Sequence, residues 1–564
     1  MKKTLILALV VTLMVTGSLF AQGRRLVAQP DATFAFGVGG AAAGPTTTNN
    51  DDSCDIGTAP AATLLLPYFA VARDRSRNTT FTIVNTVDRP QIAHVTVWTD
   101  WSFPVLDFNV FLTGYDVQPL SLHDIIFNAQ IAPLPTGATG GTTTGGSTTS
   151  GTGLSPIGDL ANQTNTNPNF AASIGCAGLP GAIPPNVAQA VQNALIDGTY
   201  VIPGTTASCG TNQVGSAASS ATGSLHPANT AVGYVTIDVA SLCSLRLPTD
   251  PVYFRSEILF DNVLTGDWQI FDSSPASNFA GGSPLVHIRA IPEGGPAGVA
   301  LTPAQTNLPF TFYARYVNDA TIAGVPIPRN FDRRQPLPHI FAARYIAGGA
   351  GAFDTQYRIW REGVTGGSGS ALVTDCVTAV QNSALTMAEV VRFDEHENHT
   401  IYNISTGVSP ATPSNVTLPE ASSPGVNSGR FPPMPTLAND VGGWMYLNLN
   451  LSGTQVPSGG PDLALHPTYP AIRPSQNWVV ISMSGSGASA GALAVDFDAT
   501  WLGNGCSAPN PISVANQPGG VVIGPAGSGV NTTVGATLPG TLVCPAGSTC
   551  VPLSTNYPAT NVTP

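Results

Sequence analysis

The 564-residue sequence carries 21 Lys plus Arg against 33 Asp plus Glu, a formal net charge of −12, and only 10% charged residues. Its only lysines are Lys2 and Lys3, so the rest of the chain has no amine for a Schiff base, a phosphate-binding loop or a Ser/Lys dyad. Scattered arginines on an acidic chain form no basic stripe for a phosphate backbone, which excludes nucleic acid as a partner.

The first segment has the order of an export signal: Lys2 and Lys3, an apolar run from Leu5 to Val15, then small residues ending at Ala21. We read residues 1–21 as a signal peptide. The run falls short of the about 20 apolar residues that cross a bilayer, and no later stretch supplies them, so the mature protein is expected to lack a transmembrane segment. The expected location is secreted, extracellular or at the cell surface, with the periplasm as a further compartment. Polarity that rests on Gly, Pro, Ser, Thr and Asn, where soluble proteins have about 25% charged residues, resembles that of secreted β proteins with long loops.

Eight cysteines follow the signal: Cys54, Cys176, Cys209, Cys243, Cys376, Cys506, Cys544 and Cys550. An even number in an exported chain points to disulfides, and sequence proximity favours Cys544 with Cys550 and Cys176 with Cys209 among many connectivities. No pair has C-x-x-C spacing, which argues against a cysteine metal site.

Residues 22–53 are rich in Gly, Ala, Thr and Asn and are expected to be flexible. Over 54–135, "TLLLPYF", "TTFTIVNT", "AHVTVWTDW" and "LDFNVFLTG" alternate in character with period 2, the pattern of sandwich strands. Leu106, Phe108, Val110 and Leu112 share one face, and Asp107, Asn109, Phe111 and Thr113 the other. Residues 136–165 open on an almost unbroken Thr/Gly/Ser run, a loop or linker. One helix stands out in "PPNVAQAVQNALIDG", with Pro185 before Asn186 as a candidate N-cap, Val187, Val191, Ala194 and Leu195 at helical spacing, and Gly198 as the stop. Strand-like segments then divide into β-rich domains over 166–365 and 366–510, before a Pro/Gly/Thr-rich tail over 511–564. No repeat of fixed period emerges.

Several constellations carry possible chemistry. "DEHENH" places Asp394, His396 and His399 close together as potential ligands of a divalent metal, although one residue is missing from H-E-x-x-H; a solvated turn is the plainer reading. Asp496 and Asp498 alternate on one strand, the arrangement of a calcium site or a glycosidase acid/base pair, or simply of a wet sheet face. Trp98 and Trp101 offer rings for stacking on sugars, or for a core. "RNFDRRQPLPHIFAARY" gathers Arg329, Arg333, Arg334 and Arg344 around Asp332, which fits a structural tie better than an anion clamp. Ser489 in "GASAG" matches G-x-S-x-G but lies between two strand-like runs, where a hairpin fits better than a nucleophile elbow. Asn78, Asn403 and Asn450 stand in N-x-S/T triplets.

The pattern over Thr63 to Gln118 resembles immunoglobulin-like sandwiches of exported, uncharacterised bacterial surface proteins, without the Cys/Trp/Cys spacing of antibody domains. That resemblance implies antiparallel β-sandwich domains and transfers no catalytic residue. The expectation is a mostly β, disulfide-stapled, exported structural or adhesive protein, not an enzyme and without a cofactor, whose partners are further copies of itself, other surface proteins or glycans. The alternative is a secreted glycan-binding or glycan-cleaving protein using Trp98, Trp101, Asp496 and Asp498.

Overall fold

The computed structural model describes residues 56–131, 183–201, 213–221, 224–243, 246, 248, 253, 257–273, 279–290, 311–313, 321–322, 325–326, 332, 334–349, 351–363, 387–403, 418–434, 441–451, 456–457, 472–473, 475–485, 493–503, 542–543 and 551–552. Residues 1–21, read above as a signal, the 136–165 stretch and Ser489 lie outside them.

The first nine strands are β1 (Thr63–Ala72), β2 (Arg77–Asn85), β3 (Gln91–Thr99), β4 (Pro104–Leu112), β5 (Val117–Ser121), β6 (Thr230–Ala240), β7 (Leu264–Asp272), β8 (Phe279–Pro284) and β9 (Val286–Ile288). They form two antiparallel sheets, ordered β4-β3-β6-β1-β9 and β5-β2-β7-β8. In β2 every second residue from Thr79 to Asn85 is buried and those between are partly exposed, as period-2 alternation requires of a sheet with one wet face. β1, β3 and β6 are buried along their whole length, so their sheet is covered on both faces, and the polar face expected for β4 is covered too.

Among the described residues, two helices sit between β5 and β6. Helix α1 (Leu122–Phe127) starts where the Ser121 hydroxyl accepts from the Asp124 amide at 3.4 Å. Helix α2 (Pro185–Asp197) begins with Pro185 inside its first turn and stops at Gly198, whose φ of 67° is the left-handed termination that glycine permits. Pro184 occupies the cap position and makes no side-chain cap bond, so Asn186, the expected cap, lies inside the helix. The short α1 is the helix that sequence periodicity misses. No helix among the described residues is long and apolar enough to cross a membrane.

The remaining strands are β10 (Thr321–Ile322), β11 (Val325–Pro326), β12 (Ile340–Ile346), β13 (Phe353–Arg361), β14 (Met387–Asp394), β15 (His399–Asn403), β16 (Ala421–Ser422), β17 (Gly442–Leu451), β18 (Val456–Pro457), β19 (Ile472–Arg473), β20 (Asn477–Gly485), β21 (Leu493–Asp498), β22 (Thr500–Gly503), β23 (Leu542–Val543) and β24 (Val551–Pro552). Apart from three two-residue ladders, they form sheets ordered β15-β14-β17-β12-β22 and β16-β13-β20-β21.

This is the first sandwich repeated. Matching β1–β6 to β12–β17 and β7–β9 to β20–β22 turns one pair of strand orders into the other. The match extends to single contacts. Thr79 of β2 bonds through its hydroxyl to both the amide and the carbonyl of Ala70, and Thr355 of β13 does the same to Ile346. Phe69 pairs with Gly233, and Tyr345 with Gly443. Trp98 stacks on its cross-strand partner Tyr234 at 5.6 Å, and Phe393 on Trp444 at 4.1 Å. No fixed period betrays the duplication because the stretches separating Thr79 from Thr355, Trp98 from Phe393 and Gly233 from Gly443 are unequal and the matched residues mostly differ.

The topology corrects the domain boundaries read from sequence. Residues 54–135 are not an independent sandwich, since β1 pairs with β6 and β9, and β2 with β7. The 136–165 stretch therefore falls within one sandwich rather than between two. The boundary at 365 cuts the second sandwich, whose β12 and β13 precede it.

Side chains at Gly233 and Gly443 would meet backbone: a Cβ at Gly233 runs into the Trp98 carbonyl oxygen, and one at Gly443 into that of Phe393. Relief requires the paired strands to separate. Gly233→Ala and Gly443→Ala are each expected to lower unfolding free energy by ~1–3 kcal/mol, measured by urea denaturation.

Candidate functional site

The most concentrated chemistry lies along the seam where the two sandwiches meet. β9 covers only Thr63–Leu65 of β1, leaving the side of the first sandwich between the rest of β1 and β8 without a paired strand among the described residues. The second sandwich closes it. In β13 and β20, Tyr357, Ile359, Val479 and Ile481 belong to the second core, while the alternate residues Trp360, Trp478 and Val480, with Ala421 of β16, belong to the first. Trp360 meets Tyr234 edge-on at 5.9 Å and Phe312 at 5.5 Å.

Arg358 lies beside Trp360 in this wall. Its guanidinium pairs with Asp496 at 2.5 Å, reaches Ser482 Oγ at 3.3 Å, and lies 5.1 Å from the centre of the Trp268 ring of the first sandwich. Both ion-pair side chains are essentially sealed from solvent. The expected carboxylate pair is thus divided by partner. Asp496 and Asp498 do lie on one face of β21, opposite Ser482 and Val480, but Asp496 is committed to Arg358, whereas Asp498 belongs to an exposed residue and accepts from Trp478 Nε1 at 3.2 Å. Val495, which alternates with the two acids and pairs with Met483, is exposed although it lies on the core-facing side of the strand.

Trp98 and Trp101 are buried, which corrects their candidacy as sugar-stacking rings. Trp98 donates through Nε1 to the Thr236 hydroxyl at 2.9 Å, and Trp101 to Ser216 Oγ at 3.1 Å. Trp101 belongs to the turn joining β3 to β4, and this turn explains "DEHENH". The Thr99 hydroxyl accepts from the amides of Trp101 and Phe103 at 3.3 and 3.1 Å, and Ser102 has φ of 59°. At the matching place after β14, one Asp394 carboxylate oxygen accepts from the amides of His396 and Asn398, each at 2.8 Å, and Glu397 has φ of 64°. Its other oxygen takes the Asn398 side-chain amide. Burial acts to raise the Asp394 carboxyl, yet these bonds hold it below the usual range. The acid closes a hairpin; His396 is exposed, and His399 packs near Phe393 at 5.9 Å. No group of three or more His, Cys, Asp or Glu among the described residues is placed to hold a metal ion.

Sequence reasoning missed a second buried assembly. On the face of β6 that also carries Tyr234, Asp238 accepts from the hydroxyls of Tyr253 and Tyr313 at 2.7 and 2.8 Å and from Thr63. Arg334 pairs with Asp238 at 3.5 Å and with Asp332 at 3.3 Å, and donates to Thr63 and the Leu259 carbonyl. Burial and the adjoining Asp238 push both tyrosine hydroxyls well above their ordinary range. Burial works against the Arg334 charge, but the two carboxylates hold its pKa above normal. Arg334 of the arginine-rich motif is therefore a tie at this position, Arg329 and Arg333 lie outside the described residues, and Asp238 is the acid inside an otherwise neutral strand, "TAVGYVTIDVA", that signalled the assembly. Arg344 instead reaches Glu395 at 3.7 Å on the surface. Asn78 donates to Ser121 Oγ at 3.2 Å, and the side chains of Asn403 and Asn450 lie outside the described residues.

Asp100 stands where three segments converge. Its carboxylate accepts from the Ser216 amide at 2.9 Å and from the Ser216 hydroxyl, and its carbonyl accepts from Ala421 of the second sandwich at 3.2 Å. Burial pushes its carboxyl up to about 6, against the Ser216 bonds, with buried Glu420 adding to the rise. Burial pulls Arg361 down to about 9, opposed by Glu420, and the Arg361 guanidinium donates to the carbonyls of Leu449 and Leu418. Asp100 and Arg361 each bond to groups on distant segments and so hold chain segments together. A shallow surface cavity of about 200 Å³ is lined by Arg75, Asn78, Ser121, His123, Asp124 and Phe271, away from the seam.

Cys243, the one cysteine among the described residues, is buried and is not a free thiol; the other seven lie outside them. Compared with family models, curated proteins and solved structures, the chain matches none.

Arg358→Ala strands a buried Asp496 and is expected to cost ~3–5 kcal/mol, whereas the paired replacement Arg358→Met with Asp496→Leu costs less than that; urea unfolding of both variants checks the ordering. A second expectation concerns pH. Because the folded Asp100 carboxyl titrates at about 6 and an unfolded one near about 3.9, the folded state binds the extra proton between those values. The Asp100 contribution is therefore fully present below the lower value and lost as pH rises through the upper one. The stability of the parent minus that of Asp100→Asn should fall across this window, read from unfolding curves at stepped pH.

Proposed function

We propose that the chain is an exported structural or adhesive component of the cell surface or extracellular matrix, stapled by disulfides. The observation that carries this reading is the seam: two sandwiches of the same strand order share core residues, and their buried charges are spent on tying segments together. The neutral-polar composition, the signal-like opening and the even cysteine count support export.

The immunoglobulin-like resemblance draws support from strand order. β3-β6-β1 and β2-β7-β8 follow the D-E-B and C-F-G orders of that sandwich, and β9 takes the place beside β1 that the first strand holds there. β5 departs from the pattern, since it follows β4 in the chain yet lies beside β2.

Fractionation of the producing cells tests the reading. The expected result is protein retained at the cell surface or in matrix, lacking its first residues and shifted on gels by reduction. Recovery from cytosol with its thiols reduced, or turnover of a polysaccharide by the purified protein, would overturn it.

A further inference from the structure

The duplication implies that each sandwich has the same open side, yet among the described residues only one is closed. In the first sandwich the closure is the wall of Trp360, Ala421, Trp478 and Val480. In the second, β22 covers only Ile340–Ala342 of β12, as β9 covers only the start of β1, and the rim is apolar and open. Val495 pairs with Met483 on the inward face of β21 and β20, yet it is 48% exposed, and Leu502 is 56% exposed. Phe497, Trp501 and Met483 are only partly buried against the second core, whereas Ile270, which holds the place of Met483 in the first sandwich, is 2% exposed.

The complementary surface is also left over. The sheet β5-β2-β7-β8 is the counterpart of the closing wall, and register places Thr82 and Val84 where Arg358 and Trp360 stand, and Val117 where Ala421 stands. On this face Val117 is 55% exposed and Phe271 40% exposed. The ion pair drops out as a unit, since Thr82 and Gly282 hold the places of Arg358 and Asp496. The free wall instead carries one acid, Asp267, which pairs with Thr82 as Val480 pairs with Arg358 and so stands in the place of Val480.

We propose that a second copy of this chain closes the open side of the second sandwich, using the β5-β2-β7-β8 face of its own first sandwich in the manner of the internal seam. The contact joins two different surfaces, so it does not close on itself, and repetition gives a head-to-tail array. The occupant is a further copy because the internal seam shows the matching wall of the second sandwich seated on the matching opening of the first. The inference rests on the structural reading above and names its partner.

The test uses full-length protein and the exposed positions, which are not buried in either core. By analytical ultracentrifugation and negative-stain microscopy, wild-type protein should form a series of species that lengthens with concentration. Val495→Asp and Val117→Asp, each melting as wild type does, should each be monomeric, and mixing them should yield dimers and nothing longer. The mixture regains one good junction, from the intact opening of one variant and the intact wall of the other. A wild-type chain that stays monomeric, a Val495→Asp chain that still elongates, or a mixture that gives monomers only or long arrays would overturn the proposal. Surface fractionation of the Val495→Asp chain separates the two readings. Retention at the surface of a chain that never assembles leaves the structural role intact and this junction refuted, while head-to-tail assembly of a chain found in the cytosol does the reverse.

Discussion

The constraint on which the structure depends is that the first core is not complete within its own sandwich. Trp268, Tyr234 and Phe312 are covered by Arg358 and Trp360 of the second sandwich. An arginine lying over one aromatic ring beside a tryptophan against two more buries a large area and leaves no room for water. Because Arg358 is sealed, its charge must be answered inside the protein, and Asp496 answers it from the same sheet. The pair lies within one sheet, and the seam adds aromatic cover from Trp268. Buried ion pairs seldom add net stability over apolar replacements, so the contribution here is one of registry: Arg358 defines where the wall sits.

Duplication shows which residues the fold requires and which it tolerates. The Thr79 and Thr355 hydroxyls, the glycines facing Phe69 and Tyr345, and the turn after β3 and β14 persist because each answers a backbone demand. The turn is the clearest case. A threonine hydroxyl in one copy and an aspartate carboxylate in the other accept from the same two amide positions, so the geometry survives a change of chemistry. Around it the copies diverge. Asp100 and Trp101 are drawn into the seam region, whereas Glu395 and His396 face solvent.

Much of the architecture was legible in the sequence because a strand with one wet face prints its period. "TTFTIVNT" and "LDFNVFLTG" are strands as expected, and Gly198 ends the helix that its spacing announced. Strand partnership was not legible: β1 and β6 are distant in the chain and both wholly buried, so neither alternation nor proximity links them. Candidate sites fared according to burial. Residue type alone nominated Trp98, Trp101 and the His396 and His399 cluster, but whether a ring faces solvent depends on Tyr234, Ser216 and the strands around them. Asp238 was visible as an acid in a neutral run, though its partners Tyr253, Tyr313 and Arg334 come from loops with no pattern to tie them to it.

The rim strand β5 carries Pro119 outward, opposite Thr82. A proline ring offers no amide hydrogen, so a foreign strand laid along that border finds its ladder interrupted. Backbone zippering of the kind that drives amyloid is thereby discouraged at this margin, while Val117 stays available for side-chain packing. A chain poor in charge, which cannot rely on electrostatic repulsion to stay dispersed, is in this way guarded by the conformational stiffness of a single residue.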